Sequence, residues 1–171
     1  MQHDLAWLNS LPAEEAANEL LQCCGSKRWA RQMADARPFE NVANVIANAN
    51  EIWWSLDRDD WLEAFRSHPK IGEKKAAEIV SAQSRKWSGQ EQAGVNTASR
   101  ETTETLAELN RAYEKKFGFI FIICATGKTF GEVLAALRER LEHDAAEELP
   151  IAAAEQSKIT ELRLKKLLTG A

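Results

Sequence analysis

Apolar residues recur through the first third of the chain with the three- and four-residue spacing of amphipathic helices. Residues 4–11 and 13–24 predict two helices, the second of which is closed by Gly25 in the C-cap role. Ser26 can cap a third helix, which ends before Pro38. The chain therefore opens with three short helices.

The clearest helical periodicity lies in residues 41–56. Apolar side chains stand there at positions 42, 45, 46, 49, 52 and 53. Asp57 or Asp59 can then cap a further helix, which runs directly into His68.

The C-terminal half continues the pattern with longer segments. Ser88 opens a helix that is expected to reach about Phe117, where Gly118 stops it. Residues 129–143 resume the helical spacing, and a final helix is expected to begin between residues 144 and 150.

One segment departs from helical spacing. Residues 119–124 contain three isoleucines and two phenylalanines, a β-like composition, but no second run of this kind exists to pair with it. We therefore interpret the segment as a buried helical or extended passage through the core. The prediction is a single all-α domain over residues 1–171, a multi-helix bundle of about seven to nine helices.

Composition narrows the class of protein. Hydrophobic residues make up 44% of the chain and charged residues 28%, both ordinary for a globular protein. The longest apolar run, residues 119–125, is too short to span a bilayer, and a net charge of −4 argues against a nucleic-acid surface. Three cysteines, two of them the adjacent Cys23 and Cys24, and a start without a signal-peptide pattern predict reduced thiols in a cytoplasmic protein.

His68 is the candidate for proton-transfer chemistry. Pro69 disfavours helical backbone at the residue before it, so the imidazole is expected just past a helix end on a stiff backbone. An imidazole titrates near neutrality and can give or take a proton. For this stretch alone, a plain helix stop is the better interpretation. Because His3 and His143 are far away in sequence and no Cys-x-x-Cys or His-Glu-x-x-His occurs, no metal site is expected.

Two other positions have both an ordinary and a functional interpretation. Ser88 and Glu91 fit a capping box, although the start of a helix also suits an anionic ligand. Arg163 is flanked by apolar residues, where an arginine usually snorkels to solvent or forms a salt bridge.

Four ordered blocks together resemble the family of OHCU decarboxylases, where OHCU is 2-oxo-4-hydroxy-4-carboxy-5-ureidoimidazoline. The blocks are Cys24–Trp29 with Arg37–Phe39, Ser67–Gly72, Ser88–Gly94 and Leu109–Cys124. The similarity extends through Ile159–Leu164 and so covers nearly the whole chain.

This resemblance implies an all-helical, cofactor-independent enzyme of uric acid degradation, commonly a homodimer, that converts OHCU to (S)-allantoin. It implies catalytic roles for His68 and Glu91. The substrate-binding positions that it implies are Pro69, Ser88, Gln92, Phe119, Phe121, Ile122, Ile123 and Arg163. Arg138 and Arg140 are alternatives to Arg163, and His143 stands where many relatives have asparagine.

The implied reaction needs no cofactor to accept electrons. Loss of carbon dioxide leaves an electron pair that the adjacent ring C=N can accept, so the protein has to supply orientation, a proton acceptor for the hydroxyl and a proton for one face of the ring. Whether His68 acts as acid, base or both stays open. A non-catalytic helical module that binds a ureide or a protein partner is the alternative, suggested by six tryptophans and an apolar terminal helix.

Overall fold

The computed structural model of this protein describes residues 3–68 and 100–170. Regular structure in these two ranges is entirely helical, which confirms the all-α prediction. The eight helices found there are α1 (Leu5–Ser10), α2 (Ala13–Leu21), α3 (Lys27–Asp35), α4 (Val42–Ser55), α5 (Arg58–Arg66), α6 (Arg100–Phe117), α7 (Phe130–Arg140) and α8 (Ala145–Thr169). The predicted helix start at Ser88 lies outside the described residues.

Polar side chains begin most of these helices by accepting a backbone N–H of the first turn. Ser26 caps α3 as predicted, and Thr129 caps α7. At α5 the cap is Asp57, which forms a reciprocal capping box with Asp60. The predicted stop after α6 is also confirmed, because Gly118 adopts a φ of 81°.

The predicted C-cap role of Gly25 is wrong. Helix α2 ends at Leu21 with Gln22 as its C-cap, three residues earlier than expected. Gly25 is not among the glycines with positive φ, so it does not make the left-handed turn that favours glycine at a helix end. The absence of a side chain at position 25 has a different cause, a close approach of another segment.

The described residues fall into two compact units. The first contains the chain up to Ser67 together with Ala153 onward, and the second runs from His68 to Ala152. In the first unit, α3 packs against α2, α4 and α5. Two buried tryptophans satisfy their indole N–H groups on backbone carbonyls: Trp29 donates to Ala49 and Trp53 to Ala153.

Helix α8 contributes an unusual face to the core of the first unit. Its buried positions in this unit are the apolar Ala153, Leu164 and Leu168 and the polar Glu155, Gln156 and Thr160. The Gln156 amide donates to the Thr160 hydroxyl at 3.0 Å, and Glu155 forms an ion pair with Lys158. Polar side chains therefore lie in this core without a hydrogen-bonding deficit.

In the second unit, α6 and α7 pack against each other, and an aromatic cluster forms around Tyr113. The Tyr113 ring lies 4.6 Å from Phe117, 5.8 Å from Phe119 and 5.3 Å from Phe121, measured between ring centroids. Within residues 3–68 and 100–170, no helix is long and apolar enough to cross a membrane.

Candidate functional site

His68 lies immediately beyond the end of a well-formed helix, as predicted. Helix α5 ends at Arg66, and Ser67 is its C-cap, with its N–H directed to the carbonyls of Ala64 and Phe65. The His68 side chain is partly exposed. The structure thus presents His68 from a fixed helix end, a position where a proton-transfer group can be held in a defined orientation.

Arg163 is a cation with no carboxylate partner in the part of the chain that the structure describes. It lies on α8 among residues of the first unit and is partly buried. No ion pair or hydrogen bond joins its guanidinium to another described residue. Burial lowers the pKa of this guanidinium, because desolvation disfavours the charged form. Among residues 3–68 and 100–170, the groups that act electrostatically on the guanidinium are the thiols of Cys23 and Cys24. Such a cation is well suited to receive an anionic ligand.

The two adjacent thiols beside Arg163 are free, buried and protonated at neutral pH. Burial raises the pKa of Cys23 from 9.0 to about 12 and that of Cys24 from 9.0 to about 11, against the smaller opposing effect of Arg163. A thiol needs a lowered pKa to act as a nucleophile. Cys23 and Cys24 are therefore neutral groups that act only weakly on the charge of the guanidinium.

The segment that the sequence placed in the core of the fold is buried. Phe119, Phe121, Ile122 and Ile123 are each less than 8% exposed, and residues 119–124 form neither helix nor strand. Because irregular backbone does not satisfy its own polar groups, some of them must be met by side chains or ligands. The prediction of a buried, non-sheet passage is confirmed.

Arg140, one of the two alternatives to Arg163, is committed elsewhere. Its guanidinium donates to the Ile122 carbonyl at 2.6 Å and forms an ion pair with Glu148, which is fully buried. The Tyr113 hydroxyl also donates to Glu148, at 2.6 Å, and His143 Nδ1 lies 3.0 Å from the other carboxylate oxygen. We call these four side chains, Tyr113, Arg140, His143 and Glu148, the Glu148 cluster.

The Glu148 cluster fixes the backbone of the 119–124 segment. Arg140 also lies over the Phe121 ring, with Cζ 4.5 Å from the ring centroid, so one side chain holds this segment by both a carbonyl and an aromatic face. Burial raises the pKa of the Tyr113 hydroxyl, and its bond to Glu148 acts in the same direction. Tyr113 is therefore a neutral donor in this cluster.

The remaining predicted site residues, Glu91, Pro69, Ser88 and Gln92, lie outside the described residues. His68 and the 119–123 segment belong to the second unit and Arg163 to the first. A shallow surface depression in the first unit, between α4 and α8, is lined by none of the predicted residues. No group of three or more His, Cys, Asp or Glu side chains in the described ranges is placed to hold a metal ion.

Sequence reasoning missed the Glu148 cluster and the contact between Gly25 and Ser67. The pair Arg140 and Glu148 spans the turn between α7 and α8, and Tyr113 comes from a third helix. Local periodicity carries no signal for such contacts. The one available hint was that Tyr113 is the only tyrosine in the chain and falls on the apolar face of its helix.

Comparison with known proteins identifies the family of this chain. The sequence profile described as OHCU decarboxylase matches residues 9–165. The chain is 44% identical over 157 residues to the uric acid degradation bifunctional protein TTL of Arabidopsis thaliana, a match that covers 91% of this chain and 48% of that protein. The chain thus spans about half the length of this relative.

A shorter relative and a solved structure match along nearly their whole lengths. The 2-oxo-4-hydroxy-4-carboxy-5-ureidoimidazoline decarboxylase of Amia calva is 31% identical over 172 residues, covering 96% of this chain and 94% of that protein. A crystal structure of OHCU decarboxylase in the presence of (S)-allantoin superimposes with a TM-score of 0.75 at 42% identity, covering 89% of this chain and 98% of the other. The chain belongs to the OHCU decarboxylase family.

Proposed function

We propose that this chain catalyses the decarboxylation of OHCU to (S)-allantoin in the degradation of uric acid. The observation that carries the proposal is Arg163, a partly buried guanidinium that has no anionic partner among the described residues, in a chain whose family decarboxylates a carboxylate substrate. Partial desolvation disfavours the charged guanidinium, so a substrate carboxylate bound there would offset part of that cost.

Arg163 is the substrate-binding arginine of this proposal. Arg140 is engaged with Glu148, Tyr113 and the Ile122 carbonyl, and Arg138 is exposed on α7. A bond to the carboxylate helps the reaction most if it orients the ground state and is no stronger there than in the transition state, because only differential stabilisation accelerates the step.

His68 is the proton-transfer group of this proposal. The substrate hydroxyl has to lose a proton, and the carbon that receives the electron pair after loss of carbon dioxide has to gain one on a single face. A histidine held at the end of α5 can perform either transfer near neutral pH. Glu91 and Gln92 are proposed to hydrogen-bond the ureido and ring N–H groups, with Pro69 and Ser88 beside the substrate.

The 119–123 segment is proposed to line the substrate pocket. Its side chains are buried and its backbone is held by Arg140, which supports a rigid wall rather than a loop that rearranges on binding. Since the substrate's own C=N accepts the electron pair, we also propose that the reaction needs no cofactor.

Two properties of the whole protein belong to the proposal. Free, buried cysteines support a reducing compartment, and we propose the cytoplasm. The family resemblance supports a homodimer, which light scattering coupled to size-exclusion chromatography would identify by a mass of twice 19.2 kDa.

The test of the activity is a chiral assay. OHCU is unstable, so it is generated in the cuvette from urate by the preceding enzymes, and the appearance of optically active allantoin is followed by circular dichroism. The proposal predicts enantiomerically pure (S)-allantoin at a rate above the spontaneous one. Saturable binding of allantoin without any acceleration would instead favour a ureide-binding module.

A further inference from the structure

Gly25 lies in the turn between α2 and α3, and its own backbone conformation does not require glycine. Its neighbours Cys24 and Ser26 are both fully buried, and Gly25 does not adopt a positive φ. The reason for the missing side chain is therefore to be sought in what lies opposite it.

The residue opposite Gly25 is Ser67, which directly precedes His68. A Cβ added to Gly25 would lie 2.4 Å from the Ser67 Oγ and 2.5 Å from the Ser67 Cβ, whereas the next atom, the Cα of Ala64, would be at an ordinary 3.6 Å. The Oγ could rotate away from such a methyl group. The Ser67 Cβ could not, because it moves only with the backbone.

Both sides of this contact are held in place by hydrogen bonds. The Ser67 N–H and hydroxyl both donate to the Ala64 carbonyl, at 3.2 and 2.6 Å. On the other side, the Lys27 N–H donates to the Glu63 carboxylate of α5 at 2.8 Å, which ties the turn after Gly25 to the same helix. An added methyl group would thus displace the Ser67 backbone, and with it the residue at the next peptide bond.

We infer that Gly25 is a positioning residue for His68, in that its missing side chain sets the backbone position from which the imidazole is presented. This inference rests on the proposed function, since it takes His68 as the proton-transfer group. Displacement of a catalytic group by about 1 Å can cost on the order of 100-fold in rate. Gly25→Ala is therefore expected to lower kcat by about 10- to 100-fold and to change KM by no more than a few-fold.

The contact geometry supplies a rescue and a matched control. Ser67→Gly removes both atoms that would meet the new methyl group, whereas Ser67→Ala removes Oγ and leaves the Cβ at 2.5 Å. We expect Gly25→Ala to cost no more than a few-fold in the Ser67→Gly background and to keep its full cost in the Ser67→Ala background. Equal losses in the two backgrounds, or a Gly25→Ala enzyme within a few-fold of wild type, would overturn the inference.

The pH profile of kcat separates positioning from mere destabilisation. A smaller folded fraction scales the profile without moving it, whereas a displaced His68 has a different environment and a shifted midpoint. The His68 ring resonances, titrated by NMR, should shift in Gly25→Ala and return in Gly25→Ala/Ser67→Gly. An unmoved midpoint together with unmoved resonances would show that position 25 affects only stability.

These results are independent of those that test the function itself. If wild-type protein fails to accelerate allantoin formation, or if His68→Gln stays active, the proposed function or the role of His68 fails whatever Gly25 does. An active wild type, an inactive His68→Gln variant and a fully active Gly25→Ala variant would overturn the Gly25 inference alone.

Discussion

At the scale of single residues, the most informative side chain is Arg163. The apolar residues on either side of Arg163 predicted a side chain that snorkels to solvent or forms a salt bridge with a carboxylate. Among the described residues, Arg163 has no carboxylate partner. The described groups that act on its charge are two neutral thiols, and no hydrogen bond to a described residue uses its donors, which leaves them for a ligand.

Arg163→Gln should reduce kcat/KM by about 30-fold, because a charge-assisted hydrogen bond to a carboxylate contributes roughly 2 kcal/mol. The change should appear mainly in KM if the bond is equally strong in the ground and transition states. Arg138→Gln, at an exposed position on α7, is the matched control and should behave like wild type in the same steady-state assay. A loss in the control and not in Arg163→Gln would transfer the substrate-binding role to Arg138.

The buried thiols predict a stability change at alkaline pH. Cys23 and Cys24 have folded pKa values of about 12 and about 11, above their ordinary value of 9.0. The stabilisation from this difference is complete below pH 9 and is lost as the pH rises toward the folded values, because the unfolded thiols ionise first. Each thiol should lower the free energy of unfolding by about 1.4 kcal/mol per pH unit between pH 9 and 11.

Urea denaturation at several pH values measures this slope. The Cys23→Ala/Cys24→Ala variant is the control for all other groups that titrate in this range, and its slope should be shallower than that of wild type. Identical slopes in the two proteins would mean that the thiols are accessible to solvent.

Residue-scale prediction from sequence succeeded where the cause is local. The end of α5 before His68 follows from helix-capping and proline chemistry that acts over a few residues. The role of Gly25 was misassigned because its cause is a contact with Ser67, 42 positions away in the printed sequence. Local rules favour a C-cap for a glycine after a helix, and only the tertiary contact distinguishes the two.

At the scale of elements, the Glu148 cluster connects three helices to the irregular 119–124 segment. Glu148 is fully buried. Its carboxylate accepts hydrogen bonds from Arg140 and Tyr113 and lies within hydrogen-bond distance of His143, so it has several partners. Buried ion pairs contribute little relative to apolar packing, but breaking one leaves a charge without compensation. The cluster therefore determines how firmly the segment is held.

Glu148→Gln should lower the free energy of unfolding by about 3 kcal/mol, since it leaves the Arg140 guanidinium buried without its counter-ion. Glu161→Gln, which removes an exposed pair with Lys165 on the same helix, is the matched control and should cost less than about 1 kcal/mol. Chemical denaturation measures both. Similar losses in the two variants would indicate that Glu148 is solvated in the folded protein.

Sequence periodicity predicted the helices of this protein better than their buried faces. For α8 the sequence suggested an apolar terminal helix, yet Leu162 is 41% exposed and the buried residues include Gln156 and Thr160. These two polar residues satisfy each other, a pairing that a count of apolar positions cannot detect. The 119–124 segment was interpreted correctly as buried because it had no strand to pair with.

At the scale of the whole molecule, the all-α class follows from composition and spacing, whereas the proposed function rests on ordered blocks of sequence that resemble one family. The same blocks that carry the family resemblance recur in the structure as the turn at Gly25, the end of α5 and the 119–124 segment. Periodicity alone predicted the class of fold. It could not predict the tertiary contacts that these blocks make, because each contact joins residues far apart in the chain.

The central claim is that His68 transfers the proton that makes allantoin formation both fast and stereospecific. The most direct measurement is the rate and optical purity of allantoin formed from OHCU generated in the cuvette, with His68→Gln compared with wild type. His3→Gln, which alters a histidine stacked on Trp7 near the chain start, serves as the control and should match wild type. His68→Gln is expected to fall to the spontaneous rate and to yield racemic allantoin. A His68→Gln enzyme within a few-fold of the wild-type rate, still forming pure (S)-allantoin, would contradict it.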